Sequence, residues 1–134
     1  MTHSITVLMP LYNASTTVNE AIDSVLSQTL QDIKLLLVND GSTDDTLAII
    51  ETYQGDPRVS IITKENSGAG DTRNRGISHI ETTWIALIDA DDVFHKEKLQ
   101  WQLNALNYYP DADVIVTDMV HHDKFSGTSI AEPK

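Results

Sequence analysis

Leu35-Leu36-Leu37-Val38 is apolar at four consecutive positions. Successive side chains of a strand point to opposite faces, so a strand here is apolar on both. Such a strand suits a parallel sheet covered by helices on its two sides. Parallel neighbours need crossover segments between them, and the flanking sequence supplies these. Ile5 to Met9, Ile33 to Val38, Val59 to Ile62 and Trp84 to Ile88 are apolar runs of strand length. Between them lie stretches of helical period.

The clearest helix carries Val18, Ala21, Ile22, Val25 and Leu26, at i, i+3, i+4, i+7 and i+8. Thr17 with Glu20 three residues on predicts a capping box at its start. A second helix carries Leu47, Ile50 and Tyr53 and is broken by Gly55-Asp56-Pro57. The Gly-rich stretch Asn66 to Gly70 reads as a loop leading into a short helix near Thr72 to Ile80. A fourth helix carries Leu99, Leu103 and Leu106, and Val114-Ile115-Val116 is predicted as a last strand. Pro10 is expected to stop the first strand. The tail from Asp123 is polar and reads as loose. Trp84, Trp101, Tyr108 and Tyr109 read as packing residues, wholly or partly buried, and His121-His122 as surface.

Strand alternating with helix predicts an α/β domain with a mostly parallel sheet and helices on both faces. At 134 residues the chain is expected to be one domain, 1–122, followed by a tail, 123–134. The 20 acidic against 9 basic residues, a formal net charge of −11, argue against a nucleic-acid partner, which needs clustered Lys and Arg. The absence of cysteine excludes disulfides and thiolate chemistry. No apolar run reaches membrane-spanning length, and Met1-Thr2-His3-Ser4 lacks the layout of a signal peptide. A cytoplasmic setting is expected, with the inner face of a membrane as one location. Self-association into a homo-oligomer stays open.

In open sheets of this kind ligands bind beyond the carboxyl ends of the strands, and the notable polar residues fall there. Tyr12-Asn13 follows the first strand, Asp40 the second, Asn66 to Arg73 the third, and Asp89-Ala90-Asp91-Asp92 the fourth. Three carboxylates in four residues repel one another unless a cation sits among them. Mg²⁺ and Mn²⁺ accept such oxygen donors together with phosphate oxygens. An isolated acidic turn is commonly a solvated helix cap, but the position just past a buried strand favours the cation. Asp40 reads either as the acceptor for a ligand N–H, such as that of a nucleobase, or as a residue orienting the Gly41-Ser42 turn. Asp44-Asp45 reads as charge at a helix N-terminus. Arg73 and Arg75 read either as groups facing an anionic ligand or as partners of surrounding acids. As a dinucleotide fingerprint the glycine spacing of 68–76 is weak.

Four motifs stand in register: Pro10-Leu11-Tyr12-Asn13; Val38-Asn39-Asp40-Gly41-Ser42-Thr43-Asp44; Asn66-Ser67-Gly68 with Arg73-Asn74-Arg75-Gly76; and Leu87-Ile88-Asp89-Ala90-Asp91-Asp92. In this order and spacing the chain resembles, over about residues 4–120, the nucleotide-sugar half of family 2 glycosyltransferases, which have the GT-A fold. The resemblance implies that Pro10 to Tyr12 and Asn13 lie at the base, with Tyr12 stacking on it, and that Asp40 hydrogen-bonds it, usually as uracil. It implies Arg73 near the nucleotide, and Asp89-Ala90-Asp91 as the DxD motif. Asp89 would lie by the ribose and Asp91 on a Mn²⁺ or Mg²⁺ that bridges the diphosphate. Asp89 is a further candidate metal ligand, and Asp92 would stand behind. Asn39, Thr72 and Lys96 depart from common family residues, without removing a group that has a role.

The implied function is inverting transfer of a sugar from a nucleotide diphosphate, a UDP-sugar favoured, to an acceptor hydroxyl. The acceptor would be a sugar, a lipid-linked sugar or a polysaccharide in cell-surface polysaccharide or glycolipid synthesis. Family members continue well past this length, so the acceptor half and the catalytic base are expected beyond Lys134. Two alternatives are a receiver-like, Mg²⁺-dependent signalling domain and an inactive nucleotide-binding module. A receiver needs an acidic pair after the first strand, where Pro10 to Asn13 stand. A nucleotidyltransferase would carry its Gly-rich loop there.

Overall fold

The computed structural model describes residues 4–122 and the strand 129–131. In chain order these form β1 (Ile5–Leu11), α1 (Val18–Leu26), β2 (Ile33–Asp40), α2 (Thr46–Glu51), β3 (Val59–Lys64), α3 (Ala69–Ile77), β4 (Trp84–Leu87), α4 (Lys98–Ala105), β5 (Val120–His122) and β6 (Ser129–Ala131). The first four strands make one sheet in the order β3-β2-β1-β4. All its pairs are parallel, with Ile5 opposite Ile33 and Trp84, and Leu35 opposite Val59.

The double-faced run of β2 is used as the sequence predicts. Leu35 and Leu37, with Val7, Met9 and Leu11 of β1, face one side. There they pack on Val18, Ala21, Ile22 and Val25 of α1, Ile50 of α2 and Leu99 of α4. Leu36, Val38 and Leu8 face the other side, against Ile62 and Ile80. α3 lies on this second side. A Cβ at Gly76 would stand 2.4 Å from Leu8 Cδ1 and 3.2 Å from Val38 Cγ2, so the absence of a side chain there lets the helix approach the sheet closely.

Pro10 does not end β1, which runs on to Leu11 with Pro10 opposite Val38. The carbonyls of Ser4 and Leu8 accept from Trp84 and Ile88. Even-numbered residues of β1 therefore turn their polar backbone toward β4. The missing N–H of Pro10 falls on that side, beyond the last β1–β4 pair at Leu87, where no ladder bond is lost.

Three local expectations are corrected. Thr17 occupies the N-cap position of α1 but makes no side-chain cap, and its hydroxyl donates to the Ala14 carbonyl at 3.5 Å. The backbone N–H groups of Thr17 and Val18 also bond Ala14, so a preceding turn does the work assigned to a capping box. α3 begins at Ala69, three residues earlier than predicted, with Gly68 at φ +97° as its cap. Val114-Ile115-Val116 is not a strand, and Val114 and Val116 are exposed. A three-residue run is held as a strand only where a neighbour offers its backbone groups, and none among the described residues does. β5 pairs instead, antiparallel, with β6. The other tail residues lie outside the described set. Trp84 packs against the core, whereas Trp101, Tyr108 and Tyr109 are largely exposed.

Candidate functional site

A cleft of about 260 Å³ opens at the carboxyl ends of the sheet strands. It is lined by Pro10, Leu11, Tyr12, Asp40, Asn66, Gly68, Ala69, Thr72, Arg73 and Asp89. Residues from all four strand exits thus meet, as the topology predicts. Five of the expected site residues line it: Pro10, Tyr12, Asp40, Arg73 and Asp89.

The exits of β1 and β2 are knitted together. Asn13 adopts φ +47°, a left-handed conformation that Asn tolerates better than most residues. Its Oδ1 accepts from the Thr43 N–H at 2.8 Å, and its own N–H donates to Ser42 Oγ at 3.1 Å. The N–H groups of Ala14 and Ser15 donate to Thr46 Oγ1 and Asp44 Oδ2, at 2.8 and 3.2 Å. Asp44 also accepts from the Thr46 hydroxyl and N–H. With the hydroxyl as the main cause, its carboxyl is held down at about 2. Asn13 therefore braces the turn that presents Tyr12, which is 52% exposed at the rim, and is not itself on the cleft wall.

Asp40 is buried, at 3% exposure. Its Oδ1 accepts from Lys64 Nζ at 2.5 Å and from the Ser67 N–H at 2.9 Å. Its Oδ2 accepts from the Gly68 N–H at 3.0 Å and from Asn66 Nδ2 at 3.2 Å. Burial alone pushes this carboxyl up, but the bonds from Lys64, Ser67 and Gly68, with the nearby Thr72 hydroxyl, outweigh burial and hold it below its ordinary value. The β3–α3 loop closes on Asp40 because Gly41 admits it. Gly41 has φ +67°, and a Cβ there would stand 2.7 Å from the backbone nitrogen of Asn66.

At the other end of the cleft the acidic turn is exposed. Arg73 donates to Asp89 Oδ1 at 2.9 Å. Oxygens of Asp89, Asp91 and Asp92 lie within 4.8 Å of one another. Burial, followed by the charges of Asp91 and Asp89, pushes the Asp92 carboxyl up. Among the described residues one guanidinium bonds one of the three carboxylates, and the charge of His121 bears on Asp92. The donor set is all hard oxygen, which fits Mg²⁺ or Mn²⁺. Ala90 is buried in the main core and pins the turn from beneath, while Asp91 stands beside Asp89 outside the cleft lining. The following segment is held from α1. The buried Gln28 donates to the His95 carbonyl at 2.7 Å and accepts from the Leu99 N–H at 3.1 Å. Phe94 N–H donates to Ser24 Oγ at 3.1 Å.

Leu11 lines the cleft within the segment Pro10 to Tyr12 expected at the base, and Ala69 and Thr72 line it within the stretch Asn66 to Arg73 that follows the third strand, but Lys64 was missed altogether. Its signal was its place at the end of the third strand, opposite Asp40 in the β2–β3 register. Arg75 is exposed and its carbonyl accepts from Ser78 and His79.

The chain is similar to known proteins. The family described as glycosyl transferase family 2 matches residues 6–131. The chain belongs to glycosyltransferase family 2. An uncharacterized glycosyltransferase of Rickettsia prowazekii is 38% identical over 112 residues, which is 84% of this chain and 35% of that protein. Glycosyltransferase GlyG of Streptococcus pneumoniae is 34% identical over 129 residues, 95% of this chain and 42% of that protein. Among solved structures, Staphylococcus aureus TarS 1–349 in complex with UDP-GlcNAc superposes with a TM-score of 0.75 at 27% identity, covering 80% of this chain and 32% of TarS. The mannosyltransferase PcManGT of Pyrobaculum calidifontis, solved with GDP-Man and Mn²⁺, has a TM-score of 0.73 at 20% identity and covers 79% of this chain and 33% of that one, a likeness of fold alone. The chain thus spans about a third of the length of the first of these relatives, and its sheet with helices on both faces is that of GT-A transferases.

Proposed function

We propose that this chain is the donor-binding part of an inverting, metal-dependent glycosyltransferase, taking a nucleotide-diphosphate sugar with a uridine nucleotide preferred. One observation carries the reading. A single cleft joins a buried, charged carboxylate suited to a base N–H, an arginine suited to phosphate, and the edge of a triad of acidic residues suited to a divalent cation. TarS is solved with UDP, at 26% identity to this chain, and with UDP-GlcNAc, at 27%, which supports a uridine donor.

In this reading Pro10 and Tyr12 flank the base, Asp40 accepts its N–H, and Arg73 lies by the diphosphate. Asp91 holds the Mn²⁺ or Mg²⁺, with Asp92 behind it. Asp89 reaches the ribose or the metal, and Arg73 pairs with it until the donor binds. A bound divalent cation supplies Lewis-acid stabilisation of the charge that grows on the departing diphosphate, worth several kcal/mol. The chain's own residues orient the donor and hold its two ends apart. The acceptor, a sugar, lipid-linked sugar or polysaccharide of the cell surface, and the catalytic base belong in this proposal to the larger remainder that relatives possess. The proposed location is the cytoplasm, with the inner face of the membrane as one site within it. Among the described residues no helix is long and apolar enough to cross a membrane.

Calorimetry with UDP in Mn²⁺, in Mg²⁺ and in EDTA tests the proposal. Binding is expected with metal and a large loss without it. Equal binding in EDTA removes the metal bridge, and no binding in any buffer removes the donor site. UDP binding with no transfer by the complete protein would favour an inactive nucleotide-binding module.

A further inference from the structure

We infer that Lys64 is a positioning residue for the nucleoside end of the cleft; the inference rests on the donor-site reading above. Lys64 ends β3, stands opposite Asp40 in register, and has a side chain only 10% exposed. Its ammonium donates to Asp40 Oδ1 at 2.5 Å, to the Glu65 carbonyl at 3.0 Å and to Ser67 Oγ. An ammonium has three N–H bonds, and these three acceptors use them all. Asp71 Oδ2, in the first turn of α3, lies 3.6 Å away and accepts from the Ser67 hydroxyl at 2.5 Å. One largely buried cation therefore joins the end of β2, the β3–α3 loop and the start of α3.

Lys64 does not line the cleft, and it acts there through Asp40, which does. Two donors on each oxygen of Asp40 fill its lone-pair directions. A ligand N–H that reaches this carboxylate must take the place of one of them. Three are fixed: the Lys64 ammonium and the N–H groups of Ser67 and Gly68. The fourth, the Asn66 amide at 3.2 Å, is the longest of the four. It belongs to an exposed side chain whose Nδ2 also donates to the Asp40 backbone carbonyl at 3.1 Å, a bond it can keep when Oδ2 changes partner. Oδ2 is thus the oxygen that changes partner, and Asn66 the placeholder for the base N–H. Lys64 keeps Asp40 ionised and aimed while that exchange occurs. Without Lys64 the buried carboxylate has no counter-charge, so it takes up a proton or drags the loop toward water.

Hydrogen exchange and calorimetry on the full chain test this. Lys64→Met should speed exchange in the peptide 65–71. It should weaken UDP binding about tenfold while leaving Mn²⁺–pyrophosphate binding within about twofold. Lys64→Arg keeps the charge and should recover part of the preference for UDP over pyrophosphate. Asp71→Asn removes an exposed partner and strands no buried charge. It should show the same pattern at smaller amplitude, and it decides the matter if Lys64→Met does not fold. Equal loss of UDP and pyrophosphate affinity, or unchanged exchange of 65–71 in every variant that folds, overturns the inference. A wild-type chain that binds no UDP overturns the donor-site reading, and exchange of 65–71 then still judges Lys64 as the brace of that loop.

Discussion

The two ends of the cleft use the same functional group in opposite ways. Asp40 is buried and meets four donors supplied by the chain itself. Asp89, Asp91 and Asp92 are exposed and crowd one another, and among the described residues they draw one guanidinium, on Asp89, and the charge of His121, on Asp92. Their carboxyls shift accordingly, Asp40 down by its hydrogen bonds against burial and Asp92 up by burial and its neighbours' charges. A carboxylate neutralised from within shapes a loop and presents one edge. A cluster left short of positive charge suits a cation brought in with a ligand. At a net charge of −11 the protein as a whole repels a bare diphosphate, so entry with a divalent cation suits it.

The largest expected effect breaks the open end. In the complete enzyme, Asp91→Asn should raise the barrier to transfer by about 4 kcal/mol, roughly a thousandfold in rate. A steady-state assay checks this, and near-normal turnover would remove Asp91 from the metal site. Next comes the closed end. Asp40→Ala strands the Lys64 ammonium and two backbone N–H groups, and should cost about 3 kcal/mol of stability in denaturant unfolding. It should also weaken UDP more than pyrophosphate; equal weakening would mean that Asp40 does not read the base. Smaller again is Gly41→Ala, at about 2 kcal/mol. It forces a side chain into φ +67° and against the Asn66 backbone. Its thermal unfolding should shift downward, with the UDP site loosened before the metal site.

The smallest effect separates the two ends by sign. Asp40 and Asp44 have lowered native values, so their contribution is full above the unfolded value, about 3.9, and is lost as pH falls through the native one. For Asp44 that loss ends near 2. Asp92 is raised, so its contribution is lost as pH climbs through its native value and is restored at lower pH. Thermal melts should therefore weaken from about pH 4 toward pH 2. Mn²⁺ should raise the melting temperature at pH 7 and lose that effect in acid. A Mn²⁺ gain that persists at pH 3 would contradict a carboxylate site.

Much of this was legible in the residues. The double-faced Leu35–Val38 run demanded helices on both sides, and both sides are covered. The polar clusters after four strands predicted the cleft, because a parallel sheet brings like ends of its strands together. The misses share one cause. Val114-Ile115-Val116 has strand composition, but a strand also needs a partner in register. Thr17 has a capping residue's chemistry, but the turn at Ala14 had already satisfied the backbone. Lys64 is an unremarkable lysine until the β2–β3 register sets it against Asp40.

By itself, then, the sequence determined four strands, helices on both faces of a parallel sheet, and the edge at which chemistry gathers, since these follow from local periodicity and from the alternation of strand with helix. Tertiary structure alone decided which carboxylate is saturated and which is left open. That depends on donors 24 to 28 positions away from Asp40. It depends as well on an Arg73–Asp89 pair 16 positions apart. Hydrogen bonds and charges respond to distance in space, and only the fold sets that distance.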